Sequence, residues 1–216
     1  MVNRFRRAAD PIPVDPMLIV GLGNPGPQYE RTRHNVGFMT ANVLARRYHL
    51  NFRSSKQRAD VARGAIGGRS VILAQPMTYM NESGNAVSRL LQYYKIPATD
   101  LLVIADDLNL PFGTLRIRPS GSSGGQKGVQ SVIDTIGTDE FARLRLGIGR
   151  PRGETIDYVL NRFPPAEEAL LPKLLDVAAD AVEAVLTRGV KDAMNSYNRD
   201  WLPDLDKSIL AKDLQT

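Results

Sequence analysis

The chain has 216 residues, 43% of them hydrophobic, no cysteine, two histidines and a net charge of +5. That length can bury a full core as one domain, and the lack of cysteine excludes disulfide staples, thiolate nucleophiles and cysteine-ligated metals. With His34 and His49 as the only imidazoles and no His-Glu-x-x-His pattern, no metal site is expected; no apolar run reaches the roughly 18 residues of a membrane span, and no secretory leader is visible, so a cytoplasmic location is expected.

The charge is unevenly placed. Residues 1–153 hold 21 basic and 11 acidic side chains, a net +10, whereas residues 154–216 hold 7 basic and 12 acidic, a net −5. Two stretches carry no carboxylate: Arg31 to Ala59, with seven cations, and Leu108 to Ile133, with Arg116, Arg118 and Lys127. A field of one sign over part of a protein favours a polyanionic partner, nucleic acid being the commonest.

In chain order, residues 1–16 read as a flexible arm, because Asp10, Asp15 and three prolines follow Arg4, Arg6 and Arg7 where a transit peptide would be acid-poor. A domain is expected over 17–199 and a polar tail over 200–216. Met17 to Gly21 is a short apolar strand. The loop Gly21 to Gly37 follows it, shaped by glycines and prolines and carrying Asn24, Tyr29 and His34, and a helix begins near Val36. Ala59 to Ile66 and Ser70 to Ala74 flank Gly67-Gly68 as a hairpin, whose second strand runs into Pro76 to Asn81 and a helix bearing Val87, Leu90, Leu91 and Tyr94.

Leu101 to Ala105 is another buried strand, with Asp106 and Asp107 at its carboxyl end. Gly113 to Arg118 alternates as a strand with Arg116 and Arg118 on one face. The glycine-serine loop Ser120 to Gly128 leads to a helix over about 129–136, and Phe141 to Ile148 is a last strand with Arg143 and Arg145 sharing a face. From Pro165 an apolar stripe marks a long helix ended by Gly189, and a further helix covers about 190–197. Strands alternating with helices, with one inserted hairpin, predict a single-domain α/β sandwich: a twisted, mostly parallel mixed sheet with helices on both faces, of the phosphorylase/hydrolase-like kind. Loops after the carboxyl ends of such strands converge on one crevice, which would gather Asn24, His34, Asn81, Asp106 and Lys127.

Two motif matches fail on context. Gly21-x-Gly23-x-x-Gly26 fits a dinucleotide fingerprint, but Pro25 and Pro27 obstruct the helix that must open there, and no acid stands roughly 20 residues on. Gly121-x-Ser123-x-Gly125 fits a nucleophile elbow, yet both histidines lie upstream of the serine, against the acid-then-histidine order. What remains is His34 in a polar loop, Asp106 as a partner to fix its tautomer, and amides at Asn24 and Asn81. That set suits general-base activation of water with neutral donors for an oxyanion. Taken singly, Asp106 also fits a strand-end turn residue and Asn81 a helix N-cap.

Together, Gly-Leu-Gly-Asn-Pro-Gly at 21–26, Thr-Arg-His-Asn-Val-Gly at 32–37, Pro-Met-Thr-Tyr-Met-Asn-x-Ser-Gly at 76–84, Asp106 to Pro111, Gly-Gly-Gln-Lys-Gly at 124–128 and Arg-Leu-Arg-Leu-Gly-Ile-Gly at 143–149 resemble bacterial-type peptidyl-tRNA hydrolase over about 17–198. The resemblance implies a monomer without cofactor that hydrolyses the ester joining a peptide to the 3′ ribose of tRNA and so recycles tRNA released prematurely from ribosomes. It implies His34 as the base, Asp106 as its orienting partner, Asn24 and Asn81 as binders of the peptide and reacting carbonyl, and Tyr29 and Met80 as site lining. It further implies Arg118 and Arg145 as holders of the tRNA 5′ phosphate, beside contacts to the acceptor stem and 3′ end. Related chains often carry Gly-Gly-His-Asn-Gly at 124–128, so Lys127 stands in place of a water-positioning asparagine, and an ammonium donates without accepting. They also carry acidic residues in another arrangement at 107 and 109, leaving Asp106 unchanged. A non-catalytic RNA-binding module of the intron-splicing-factor type, which shares this fold, is the alternative.

Overall fold

The computed structural model describes residues 15–150 and 154–205. The expected arm over 1–16 and tail over 200–216 therefore lie outside the described residues except at 15–16 and 200–205. Seven strands form one sheet: β1 (Met17–Gly21), β2 (Arg53–Ser54), β3 (Ala59–Ile66), β4 (Arg69–Pro76), β5 (Leu101–Asp107), β6 (Leu115–Arg118) and β7 (Ala142–Gly147), in the spatial order β2-β3-β4-β1-β5-β7-β6. β1 pairs in parallel with β4 and β5, and β5 with β7; the flanking pairs β2/β3, β3/β4 and β6/β7 are antiparallel. The parallel character is thus confined to the four central strands. Helices cover both faces, so β1 is apolar and buried throughout, and β5 is apolar on both faces up to Asp106.

Helices α1 (Val36–Arg47), α5 (Pro165–Arg188) and α6 (Val190–Tyr197) belong with one face. Leu44, Leu73, Ile104, Leu144, Leu174, Ala178 and Val182 fill its core. On the other face α2 (Ser83–Tyr94) and α3 (Lys127–Ile136) cover Val20, Ile72, Val103 and Phe141. The chain leaves β1 through α1 toward the β4 side and leaves β4 through α2 toward β5, so the connections part at the carboxyl end of β1. Such a switch point opens a crevice above the strand ends.

Close approach of α1 to the sheet sets the crevice's depth. A Cβ on Gly37 would strike the Leu22 backbone and the Ile104 carbonyl, so only glycine lets the first turn of α1 sit this low. Phe38 N–H donates to Leu22 O at 3.1 Å, and Leu22 N–H to Ile104 O at 2.9 Å, tying the loop, α1 and β5 together. As a result the residues just before α1 hang over the end of β5.

Two short elements escape the sequence reading: β2, and α4 (Thr155–Leu160), a six-residue helix with Val159 as its one buried residue. The chain after α6 runs along the free edge of β6, where Asn198 hydrogen-bonds the backbone of Ile117 and Leu115 N–H donates to Arg199 O, protecting that edge from further pairing. Residues 202–205 are helical, and Leu205, 4% exposed, anchors them while Pro203 and Asp204 stay exposed.

Candidate active site

A cleft of about 430 Å³ opens above the carboxyl ends of β1 and β5. Its lining includes Asn24, Tyr29, His34, Met80, Asn81, Asp106 and Lys127: the five that the sequence placed in one crevice, with Tyr29 and Met80 from the resemblance. Leu108, Ile156, Val159 and Leu160 add an apolar wall, and Tyr79 and Asn109 also line it.

His34 lies in the 3₁₀ turn Arg33–Asn35 that leads into α1, and is 8% exposed. Its Nδ1 is 2.9 Å from Asp106 Oδ2. An ionised carboxylate only accepts, so Nδ1 carries the hydrogen and Nε2 of the neutral ring is left with its lone pair. Asp106, 3% exposed at the end of β5, has its other oxygen bound as well: Gln126 Nε2 donates to Oδ1 at 2.9 Å. Gln126 is the N-cap of α3, and its Oε1 accepts from Val129 N–H at 2.7 Å, one of the donors that a helix start leaves unpaired.

Asn24 is held with equal definition. Its backbone N–H donates to Asn35 Oδ1 and its carbonyl accepts from Asn35 Nδ2, both at 2.9 Å. Met80 N–H donates to Asn24 Oδ1 at 2.8 Å, so the acceptor end of the side chain is occupied and the NH₂ end is what the residue offers the cleft. Met80 is 4% exposed, and Gln126 Nε2 approaches its sulfur at 3.3 Å. The contacts close on themselves: Asn24 to Met80, Met80 to Gln126, Gln126 to Asp106, Asp106 to His34, and back through Asn35.

Asn81 sits in the 3₁₀ turn Met80–Glu82, exposed at the cleft, and the N-cap position of α2 falls to Glu82, so Asn81 is not a helix cap. Lys127 is exposed at the first residue of α3, where a cation opposes the helix dipole and an anion would be welcome. Arg118 and Arg145 do not line the cleft. Arg145 reaches it indirectly, its Nε 2.7 Å from Asp107 Oδ2, and Asp107 is a lining residue. β6 and β7 pair Arg116 with Arg145 and Arg118 with Arg143, which sets all four guanidinium stems on the same sheet face.

Sequence reasoning missed three contributors. Gln126 had a usable signal, an amide directly before a helix. Asn35 stood beside His34 with no sign of its reciprocal bonds to Asn24. Arg33 is 7% exposed, and its Nη1 donates to the carbonyls of Tyr158 and, at 2.8 Å, Arg162, while its guanidinium lies 4.1 Å from the Tyr158 ring centre. It pins α4, the cleft's apolar wall, to the turn that carries His34. Burial raises the carboxyl pKa of Glu167 beside it, and the Arg33 charge partly opposes that rise.

Chemically, the cleft offers an imidazole with a fixed tautomer, a carboxylate that stabilises its protonated form, and an amide donor nearby. Among the described residues no hydroxyl hydrogen-bonds the imidazole, no group of three or more histidines and carboxylates could hold a metal, and no helix is long and apolar enough to cross a membrane.

Comparison with known proteins points the same way. The family model described as peptidyl-tRNA hydrolase matches residues 18–204. A peptidyl-tRNA hydrolase of Chloroflexus aggregans is 54% identical over 184 residues, 84% of this chain and 98% of the relative. One from Mycobacterium bovis is 45% identical over 84% of this chain and 96% of its own. The crystal structure of peptidyl-tRNA hydrolase from Acinetobacter baumannii superposes with a TM-score of 0.80 at 37% identity, covering 85% of this chain and 95% of that one.

Proposed function

The chain belongs to the peptidyl-tRNA hydrolase family, and on that premise we propose that it cleaves the ester between the peptide and the tRNA 3′ ribose with His34 as general base. The single observation that carries the assignment is the 2.9 Å bond between His34 Nδ1 and Asp106 Oδ2 beside the free amide of Asn24. His34 Nε2 takes a proton from a water molecule as its oxygen attacks the ester carbonyl. Asp106 favours the imidazolium that forms. The carbonyl oxygen becomes an oxyanion, and Asn24 Nδ2 donates to it. When the tetrahedral intermediate collapses, the bond between the acyl carbon and the ribose oxygen breaks and the imidazolium returns its proton to that departing oxygen, leaving a hydroxyl. The products are a peptide acid and a tRNA with a free 3′ end.

Tyr29, Met80 and Asn81 contact the acyl side of the substrate. Lys127 pairs with an RNA phosphate rather than positioning water, since it cannot accept a hydrogen bond. Arg118 and Arg145 hold phosphates near the acceptor stem, with contacts indifferent to sequence. The enzyme works as a cytoplasmic monomer without a cofactor or metal. No feature of the cleft favours the non-catalytic RNA-binding alternative.

Release of tRNA from N-acetyl-aminoacyl-tRNA tests the assignment. Wild-type protein should turn the substrate over, and His34→Ala should lower kcat by about 100-fold or more. A His34→Ala variant as fast as wild type would remove the proposed base.

A further inference from the structure

We propose that Gln126 is a positioning residue for catalysis, whose side-chain amide locks the Asp106 carboxylate in the orientation that serves His34. This rests on the hydrolytic reading above. Three contacts meet at this one amide: Val129 N–H donates to Oε1, Nε2 donates to Asp106 Oδ1, and Nε2 also lies against Met80 Sδ.

The first contact decides the second. An amide has one acceptor end and one donor end, and a helix N-cap can be served only by the acceptor. Capping α3 through Oε1 therefore obliges Gln126 to turn its NH₂ toward the end of β5. There it meets Asp106 Oδ1, so both oxygens of a carboxylate only 3% exposed are bound by donors. A buried carboxylate with one free oxygen could rotate about its terminal bond; with both bound it does not do so readily. What keeps Oδ2 aimed at His34 is thus a side chain on a different element, reached through the first turn of α3.

Neutral histidine shares with glutamine the property the site uses, one acceptor and one donor at opposite ends of a short planar group. Leucine has neither, and glutamate keeps only the acceptor once ionised.

Three variants, measured with N-acetyl-aminoacyl-tRNA and by thermal melting, test the proposal. Gln126→Glu still caps α3 through a carboxylate oxygen but faces the buried Asp106 with a like charge, so its melting temperature should fall. Its kcat should fall by about 10-fold or more, with KM within about threefold of wild type. Gln126→Leu should show the same loss of kcat together with a lower melting temperature. Gln126→His should recover most of the lost turnover. A Gln126→Glu enzyme as fast as wild type would reduce Gln126 to a helix cap and overturn the proposal. A rise in KM with kcat intact would make it a substrate contact and overturn it equally. A wild-type protein that fails to cleave the substrate would instead overturn the hydrolase reading itself, so the two failures are told apart by the control.

Discussion

The cleft floor and the β6/β7 edge are both built from polar side chains on neighbouring strand ends, yet they use them in opposite ways. On the floor, Asn24, Asn35, Asp106 and Gln126 are tied to one another and to neighbouring backbone groups, which fix each amide's orientation and leave the Asn24 NH₂ facing the cleft. At the edge, Arg118 is exposed and Arg145 is held by a single carboxylate, Asp107. Saturated networks fix geometry to fractions of an ångström, which a general base needs; open cations adapt to a mobile phosphate backbone, which a reader of RNA shape needs. Chemistry is thus assigned to the closed network and affinity to the open one.

Asp106→Asn should break this division most severely. The new amide meets Gln126 Nε2 on one side and His34 Nδ1 on the other. Gln126 can present only a donor, so the substituted side chain would turn its oxygen to Gln126 and its NH₂ to His34. Nδ1 would then accept, the ring hydrogen would move to Nε2, and the base would be lost. A fall in kcat of about 100- to 1,000-fold with little change in KM is expected from steady-state hydrolysis of N-acetyl-aminoacyl-tRNA. Loss of substrate binding instead of turnover would place Asp106 in recognition.

Arg143 and Arg145, two residues apart on one strand face, sharpen the same contrast within the edge. Arg143 is 2% exposed; it donates to the carbonyls of Gly121, Ser122, Asp139 and Phe141 and lies 4.3 Å over the Phe141 ring. Burial lowers its pKa, with Asp139 opposing the shift, and it serves as the post on which the loop before α3 is wound. Arg143→Met should therefore cost about 2–4 kcal/mol in urea unfolding, through lost hydrogen bonds and ring contact, while leaving exposed phosphate-binding groups in place. A change under about 0.5 kcal/mol would mean that water replaces the guanidinium at those carbonyls.

Arg143 also shows where the sequence stops being legible. Alternation along β7 correctly puts it on the face of Arg145, because period two is a local property of the strand. Which of the two is covered depends on how residues 119–126 fold back, a tertiary fact without periodicity. The same boundary runs through the whole molecule. The central strands, the long helices and the meeting of the cleft residues follow from apolar runs and from where parallel strands end. The helix α4 does not, since six residues with one buried position leave no amphipathic stripe. Arg33 looks like one more cation in an acid-free stretch, and only the packed chain shows it bridging the turn of His34 to the cleft wall. Gln126 could be read as a helix cap, but its second bond needs β5 beside α3.

The smallest effect belongs to the most exposed group. Arg145 is a poor probe of phosphate binding, because removing it strands Asp107, whose side chain is 2% exposed, and an unpaired buried charge would destabilise the fold by a route unrelated to RNA. Arg118, exposed at the end of β6, has no such burden. Arg118→Ala should leave kcat and melting temperature unchanged, raise KM by several-fold near 0.1 M salt, and reduce the slope of log(kcat/KM) against log[salt] by about one. That slope change is the decisive reading, since a lost phosphate contact releases fewer counterions whereas a lost packing contact changes affinity equally at every salt concentration. An unchanged slope would move the RNA backbone off this edge and toward Lys127, the cation that lines the cleft.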